Sequence, residues 1–330
     1  MNNFYKPTHI RIYVNKKEVY WIEATWSGSK SSPARSLDIT LPNLDIYNNA
    51  FAAGDTVEMT DLTGKKLFTG KIFTRSKNNI ASEISIECYD LLVYLMKSED
   101  SFNFKSGSVG SMINQIAKKS GIPFGDIADS GTSIKPAEPF IGETYYDIIL
   151  ELYKLVAAKT NKKYFPFFEN GKVHIRHKGL HDKKFVLSEY KEGMGAVSHQ
   201  ILEIEYSESI EDLVNKVVIV NDEGGKVSEI LGQSQSKYGT IQKVYRKSDD
   251  ESKSDWTKEA KALLQPLHQE AELEALGNVN CISGKGIVIQ DTKTGMKGVF
   301  YIDDDSHTFS DNMHTMSLSL SFKNLMDGDD

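Results

Sequence analysis

Three histidines, spaced as His174-x-x-His177-x-x-x-His181, are the residues in this sequence that could most readily do chemistry. Imidazole is the commonest metal ligand in proteins and also serves as a general base. The surrounding pattern, however, predicts a strand, in which positions three apart point to opposite faces. His174 and His177 therefore cannot close on one metal ion, and we interpret all three as exposed strand and turn histidines.

A short acidic run, Asp303-Asp-Asp305 followed by His307, could supply carboxylate ligands to a hard cation. Consecutive strand positions diverge, and the spacing is not that of a calcium-binding loop. We therefore interpret this run as the charged rim of a barrel.

Other catalytic patterns are incomplete. The serine- and glycine-rich run 106–111 lacks the lysine and the final Ser/Thr of a phosphate-binding loop. The sequence contains neither a Gly-x-Ser-x-Gly elbow nor a His-Glu-x-x-His motif. We expect no catalytic, metal or cofactor site, although a pair of glycosidase-type carboxylates, which is defined by its separation in space, stays open.

Composition excludes several functional classes. The net charge of the 330-residue chain is −7, which argues against nonspecific nucleic-acid binding. No apolar run approaches the roughly 20 residues of a membrane span. Cys88 and Cys281 fall in apolar strand patterns without metal or redox spacing. We expect both cysteines to be buried as small hydrophobic residues in a reducing compartment.

The elements that position these residues include a repeated pattern, at residues 54–96 and again at 284–326. Each copy has a strand, an acidic glycine turn, a returning strand, a loop and a further alternating strand. In the last strand, residues 84–90 are matched with 318–324. Two similar barrels in one chain would let an odd-numbered oligomer mimic a ring of twice as many subunits.

The hydrophobic period divides the chain into three predicted domains. Residues 1–100 contain about six short strands around one core, as in a small barrel. Residues 101–185 change to a helical period, with helices from Val109 and Tyr145 before a hairpin that has an Asn-Gly turn. Residues 186–330 return to strands. The predicted fold class is therefore mainly β with α+β elements: two similar small β-barrels that flank a small α/β module.

The third domain is predicted to carry two additions. Residues 232–255 are polar and form an exposed insertion. A helix over residues 256–276 follows, kinked at Pro266.

Several short motifs follow one another along nearly the whole chain, in a characteristic order and spacing. They are Arg35-Ser-Leu37-Asp-Ile39, Gly54-Asp-Thr-Val-Glu58 with Leu67-Phe-Thr-Gly-Lys-Ile72, Ile86-Glu-Cys-Tyr-Asp90, Ile116-Ala-x-x-x-Gly121, Leu213-Val-Asn-Lys-Val217, Tyr238-Gly-Thr-Ile241, and Gly298-Val-Phe-Tyr-Ile302 with Asp304 and His307. In this order the motifs resemble the hub proteins of contractile phage tails and tail-like particles, in particular the XkdQ type of PBSX-like defective prophages.

The resemblance implies a structural protein of the baseplate. It implies a homotrimer whose tube-type barrels join the six-fold tail tube protein to the three-fold central spike protein. Further implied partners are baseplate wedge or LysM-containing adaptor proteins, with no cofactor, no specific nucleic acid and no membrane. The chain would be made in the bacterial cytoplasm and assembled into a phage tail or a headless, bacteriocin-like particle. Because it shows no appended lysozyme or peptidase, we do not expect it to be an enzyme.

The predicted interface elements are the insertion 232–255 and the two equivalent hairpin turns. In the turns, the residues are Asp61, Gly64, Lys65, Lys66, Asp291, Gly295 and Lys297. Two alternatives stay open. One is a peptidoglycan-binding module, because residues 108–121 and the next helix faintly resemble a LysM unit. The other is a tail-associated cell-wall hydrolase assembled from scattered carboxylates.

Overall fold

The computed structural model confirms a mainly β protein with a few helices. The chain forms two compact units, one within residues 1–204 and 272–326 and the other within residues 205–271. The predicted division into three domains near residues 100 and 185 stays a prediction. The structure describes residues 9–321 apart from residues 31, 45, 46, 48, 49, 79, 81, 82, 130, 161, 163, 178–180, 189–200, 233, 249–252, 311 and 312.

The region before the α/β module consists of strands whose apolar residues alternate with polar ones, so that one face is buried. Its elements are β1 (Ile10–Val14), β2 (Lys17–Glu18), β3 (Glu23–Ser29), β4 (Ser36–Pro42), β5 (Thr56–Asp61), β6 (Lys66–Lys77), β7 (Glu83–Asp90) and the helix α1 (Leu92–Lys97).

The α/β module packs two amphipathic helices over a small sheet. Its elements are β8 (Glu99–Phe102), β9 (Gly107–Ser108), α2 (Val109–Ser120), β10 (Phe124–Ile127), β11 (Ser133–Ile134), β12 (Phe140–Thr144), α3 (Tyr145–Thr160), β13 (Tyr164–Glu169) and β14 (Lys172–His177).

The two helices and the hairpin predicted for this module are confirmed, and local signals in the sequence account for them. Ser108 caps the start of α2, and Gly121 ends it in the left-handed conformation with φ 69°. The hydroxyl of Thr144 accepts a hydrogen bond from the amide of Asp147 at the start of α3, at 3.0 Å. Asn170 and Gly171 both have positive φ, as the tight turn between β13 and β14 requires.

The remaining elements are again mostly strands. They are β15 (His181–Ser188), β16 (Ile201–Ser209), β17 (Lys216–Val220), β18 (Lys226–Leu231), α4 (Gln235–Tyr238), β19 (Gln242–Arg246), α5 (Lys253–Ala262), β20 (His268–Leu276), β21 (Gly286–Gln290), β22 (Lys297–Ser310) and β23 (Met313–Ser321). Among the helices that the structure describes, none has the length and apolar character to cross a membrane.

The helix predicted over residues 256–276 is wrong in its second half. Helix α5 ends at Ala262, before Pro266, and residues from His268 onward form strand β20. In β20, Ala271, Leu273 and Ala275 alternate with exposed glutamates. This period of two outweighs helix propensity, because it buries one face of a strand.

One continuous sheet contains the strands of both repeats. Its order is β16-β20-β23-β22-β3-β4-β7-β6-β5-β1-β2, with β21 beside β22 and β15 beside β21. Strands β22 and β3 pair antiparallel, from Asp304 opposite Ser29 to Ser310 opposite Glu23. No closed barrel is detected in the described part of the chain, so the strands predicted as two barrels are joined edge to edge.

The internal repeat is confirmed in the main chain. The amide of Gly54 donates to the carbonyl of Ile72 at 2.7 Å, and the amide of Gly284 donates to that of Ile302 at 2.9 Å. In both copies the register of the returning strand shifts immediately after this isoleucine, as at a β-bulge. The copies therefore share a bulge as well as a strand order.

The alignment of the closing strands needs correction. Ile72 lies opposite Cys88, and Ile302 lies opposite Leu320. Cys88 therefore corresponds to Leu320. The match of residues 84–90 with 318–324 had paired Cys88 with Phe322, so the structure shifts the alignment by two residues. A period of two leaves such a shift invisible in sequence, since every other residue is apolar in either register.

The second unit is a three-stranded sheet, in the order β18-β17-β19, with α5 packed on one face. Val217, Ile219, Trp256 and Ala260 form its core. The side chain of Asn215 donates to the carbonyl of Gly239 at 2.8 Å and accepts from the amide of Ile241 at 2.9 Å. These bonds join two of the sequence motifs, and the insertion 232–255 supplies α4 and β19.

The equivalent hairpin turns are stabilised by an aspartate in each copy. Asp61 accepts from the amide of Thr63 at 2.9 Å, and Asp291 accepts from the amide of Thr294 at 2.7 Å. Asp291 is only 4% exposed, whereas Asp61 retains more solvent contact. Removing either carboxylate leaves turn amides without an acceptor inside the protein.

We expect Asp291→Ala to lower the free energy of unfolding by about 1–2 kcal/mol, and Asp61→Ala by less, because water can replace the lost acceptor at an exposed turn. Urea denaturation of the purified proteins measures both. Lys293→Ala, in the same turn but exposed, is the matched control. Equal losses in the control and in Asp291→Ala would show that the aspartate has no special role.

Candidate functional site

A buried ion pair connects the two repeats where strand β3 pairs with β22, a contact that we call the joint. Arg35, just before β4, donates from Nη1 to Oδ1 of Asp305 on β22 at 2.9 Å, and its Nη2 pairs with Oδ2. The amide of Ser283 donates to the same Oδ1 at 2.6 Å. Asp305 is 3% exposed and Arg35 is 9% exposed. Burial alone would raise the pKa of Asp305, but Arg35 and His307 outweigh it and hold the pKa at about 2.

The place of Arg35 is shaped by its neighbours on β3. Its guanidinium carbon lies 4.0 Å from the centre of the Trp26 ring, so the cation rests on an aromatic face. A side chain at Gly28 would put Cβ 2.1 Å from Nη1 of Arg35 and 2.9 Å from Oγ of Ser283. Glycine at this position therefore makes room for the ion pair.

The main chain of Arg35 is fixed by Asp90, at the end of β7. Oδ2 of Asp90 accepts from the amide of Arg35 at 3.0 Å, and Oδ1 accepts from the amide of Leu92 at 2.9 Å, at the start of α1. Burial raises the pKa of Asp90 to about 7, although these amides and the charge of Arg35 act in the opposite direction. Asp90 thus links the ion pair to α1, whose Leu92 and Leu95 pack in the core of the α/β module.

A pair of buried histidines extends the cluster along β22 and β23. Nε2 of His307 lies 2.9 Å from the carbonyl of Cys281, which can only accept, so Nε2 carries the proton. Nδ1 of His307 lies 3.1 Å from Nε2 of His314, within hydrogen-bond distance. Burial, with His307 and His9 nearby, lowers the pKa of His314 to about 3. The two rings therefore connect β22 to β23 inside the core.

Two further side-chain contacts join β22 to the β3 region. Nζ of Lys30 lies 2.6 Å from Oδ2 of Asp303, and Oγ of Ser27 donates to Oγ of Ser306 at 3.1 Å. Asp303, Asp305 and His307 are therefore not a rim exposed to solvent, as the sequence suggested, because β3 and the Arg35 region cover them. Since Asp305 and His307 are enclosed, the cluster is built to hold two strands together rather than to meet a substrate.

The sequence contained one usable signal for this cluster. Asp303, Asp305, His307 and Phe309 alternate along a strand and so share one face. Phe309 is fully buried, which places the polar residues of the same face inside as well. The pairing with Arg35, some 270 positions away, gave no signal in the sequence.

The predicted interface residues lie at the tips of equivalent hairpins. In the first turn Gly64 has φ 88°, Lys65 is exposed and Lys66 lies 2.7 Å from Glu58. In the second turn Gly295 has φ 77°, and Lys297 begins β22 with an exposed side chain. Their role as contacts stays a prediction.

The histidines of the opening motif do not converge. The expectation that these histidines are exposed is wrong for His174, which is buried because its Nδ1 accepts from the amide of Asp126 at 3.0 Å. His177 is exposed, with its ring against Tyr164. The side chain of His181 lies outside the described residues. Cys88 and Cys281 are both free and buried, and burial raises the pKa of the Cys281 thiol to about 12.

We expect Arg35→Met to be strongly destabilising, by about 3–5 kcal/mol, because it leaves the Asp305 carboxylate buried without its cation. Arg35→Met combined with Asp305→Leu should lose less, because no uncompensated charge remains. Denaturation in urea at pH 7 measures both, with Lys30→Met as the control at a half-exposed pair. A double variant less stable than Arg35→Met alone would contradict this account.

We expect acid to weaken the fold through His314. Its folded pKa is lowered, so its contribution is present above the unfolded value of 6.5 and is lost as pH falls towards 3. Between pH 7 and 5, this loss is roughly 2 kcal/mol.

His314→Phe should flatten that part of the stability profile, while the exposed His268→Phe should not. Asp90 acts with the opposite sign, since its raised pKa adds stability below 3.8 that is lost as pH rises through 7. The contribution of Asp90 is the same in His314→Phe and in the unsubstituted protein. It therefore cancels when the free energies of unfolding of the two proteins are subtracted. Parallel profiles for these two proteins would contradict the assignment.

Comparison with known proteins agrees with this architecture. The YQBQ-like family model matches residues 24–321. Protein XkdQ of the phage-like element PBSX, from Bacillus subtilis strain 168, is 28% identical over 324 residues, which cover 94% of this chain and 96% of that protein.

Two solved structures show the same fold. A tail protein from Neisseria meningitidis MC58 has a TM-score of 0.70 at 16% identity and covers 98% of this chain and 99% of its own. The 43 kDa tail protein of prophage MuSo2, from Shewanella oneidensis, has a TM-score of 0.68 at 13% identity, with coverages of 95% and 98%. Since the family model matches most of the chain, the chain belongs to the YQBQ-like family.

Proposed function

We propose that this protein is the baseplate hub of a contractile phage tail or tail-like particle. In this role it is a homotrimer that joins the six-fold tail tube protein to the three-fold central spike protein, with baseplate wedge or LysM-containing adaptor proteins as further partners. Its function is structural, and its site of action is the baseplate of the assembled particle. The observation that carries this proposal is the strand order of the large sheet.

The large sheet contains the same four-strand run twice. One run is β16-β20-β23-β22 and the next is β3-β4-β7-β6. In each run the third and fourth strands are the closing and returning strands of the repeat, and the first two strands precede the returning strand in the chain. The two runs are therefore equivalent in strand order as well as in local structure. They are adjacent in the sheet, and the order of their strands has the same direction in both.

The joint between the runs supplies a rule for assembly. Within the chain, the second half of β22 pairs with β3, the first strand of the next run. In the described part of the chain, the double run ends at β16 on one side and at the second half of β6 on the other. If β6 of one subunit pairs with β16 of the next, three subunits place six equivalent runs in one ring. A closed ring of this kind leaves no strand edge exposed.

The two ends of the double run are complementary in charge. Strand β6 carries Arg75 and Lys77 near its end, whereas β16 carries Glu203 and Glu205. Opposite charges on two edges steer their encounter and disfavour pairing of like ends. The charges therefore favour a head-to-tail ring over a two-fold dimer.

We expect the purified protein to form a trimer of about 111 kDa, three times 37.0 kDa, in light scattering. Proline has no amide to donate, and successive amides of a strand point to opposite sides. Of Leu202→Pro and Glu203→Pro on β16, one should therefore block the ring without unfolding the subunit, while the other disturbs the pairing with β20.

Leu202→Ala and Glu203→Ala are the matched controls, and both should remain trimeric. Thermal unfolding of each proline variant separates loss of assembly from loss of fold. A stable dimer or hexamer of the unsubstituted protein would contradict the proposal. The proposal would also be contradicted if both proline variants formed trimers with the same thermal stability as the unsubstituted protein.

A further inference from the structure

A cavity of about 160 Å³ lies in the first unit, between the β13–β14 hairpin and the segment that leads into the second repeat. Its apolar walls include Trp26, Phe165, Phe167 and Ile282. An apolar cavity of similar size accommodates a benzene ring in an engineered protein. The space therefore suits one aromatic ring.

Two buried donors at this cavity lack an acceptor. Nε1 of Trp26 and Nε of Arg35 are enclosed, and neither has a hydrogen-bond partner among the described residues. Trp26 is 3% exposed and Arg35 is 9% exposed, and both residues line the cavity. Buried N–H groups without a partner are rare and destabilising. Because both atoms are fully enclosed, they add uncompensated positive potential beside the cavity rather than a hydrogen bond to a group inside it.

The cavity also has an excess of positive charge. Three of its cationic side chains lie within ion-pair distance of carboxylates, and two others, Lys65 and Lys285, have no such partner in the part of the chain that the structure describes. Partial desolvation lowers the pKa of Lys285, with Lys65 and Arg35 acting in the same direction. Glu169 is the only carboxylate among the described lining residues. This local excess of cations, in a chain of net charge −7, points to a bound anion.

We propose that this cavity binds a carboxylate carried on an aromatic ring. The ring lies among Trp26, Phe165 and Phe167, and the carboxylate lies near the cations of Lys65 and Lys285. Such a group has two sources: a free aromatic acid, or a polypeptide that ends in an aromatic residue. The cavity belongs to a single chain, so this proposal does not depend on the trimer.

The test uses the full-length protein labelled with 5-fluorotryptophan and followed by fluorine NMR. The resonance of Trp26 is assigned with Trp26→Phe, and benzoate is the probe. We expect that resonance to shift to saturation, with a Kd on the order of 1 mM for so small a ligand. Benzyl alcohol, which lacks the charge, and acetate, which lacks the ring, should each bind at least roughly fivefold more weakly.

Lys285→Gln should weaken benzoate binding roughly fivefold, since it removes an unpaired cation at an exposed position without disturbing the core. Lys293→Gln makes the same change of charge outside the cavity and should leave binding unchanged. An unmoved Trp26 resonance, equal binding of benzyl alcohol, or equal weakening in Lys293→Gln would each overturn the proposal.

A short peptide with a C-terminal phenylalanine distinguishes the two sources of the carboxylate. Tighter binding of this peptide than of benzoate supports the site and assigns it to the end of a partner polypeptide. Binding of benzoate with exclusion of the peptide supports the site and assigns it to a free aromatic acid. Failure of both to bind refutes the site but leaves the trimer untouched, because subunit mass is measured separately.

Discussion

The edge of strand β22 is the constraint on which the rest of the structure depends. Its first half is covered by β21, but its second half extends beyond β21 and needs another strand to pair its amides and carbonyls. Strand β3, from the other repeat, supplies that pairing. One repeat therefore does not complete its own sheet, and the two halves of the first unit fold as a single structure rather than as two independent barrels.

The ion pair beneath this pairing makes the joint specific. A buried carboxylate is tolerated only with a matched cation and further donors, and Asp305 has the guanidinium of Arg35 and the amide of Ser283. The same arginine requires the empty position at Gly28 and the flat face of Trp26. Because these conditions are met only in one register, a slip of β3 along β22 would leave a buried charge unpaired.

The joint is also connected to the α/β module and to the cavity beside it. Asp90 holds the backbone of Arg35 and the first turn of α1, and α1 packs in the core of the module, so Asp90 connects the sheet to the module through this helix. Arg35 and Trp26 both line the cavity, and each carries an enclosed donor without a partner among the described residues. Occupancy of the cavity would add to the stability of the joint, because a ligand that binds only the folded state favours folding.

The sequence by itself determined the local elements and the existence of the repeat, because these depend on period and on turn chemistry. Alternation gave most of the strands, Ser108 and Gly121 bounded α2, and Asn170-Gly171 gave the hairpin. It failed at residues 268–276, where helix-forming residues lie in an alternating strand, and it matched the closing strands two residues out of register. Only the tertiary structure decided that the repeats share one sheet and that Arg35 meets Asp305. Such contacts depend on which edges meet across the fold, and no local pattern of residues encodes that.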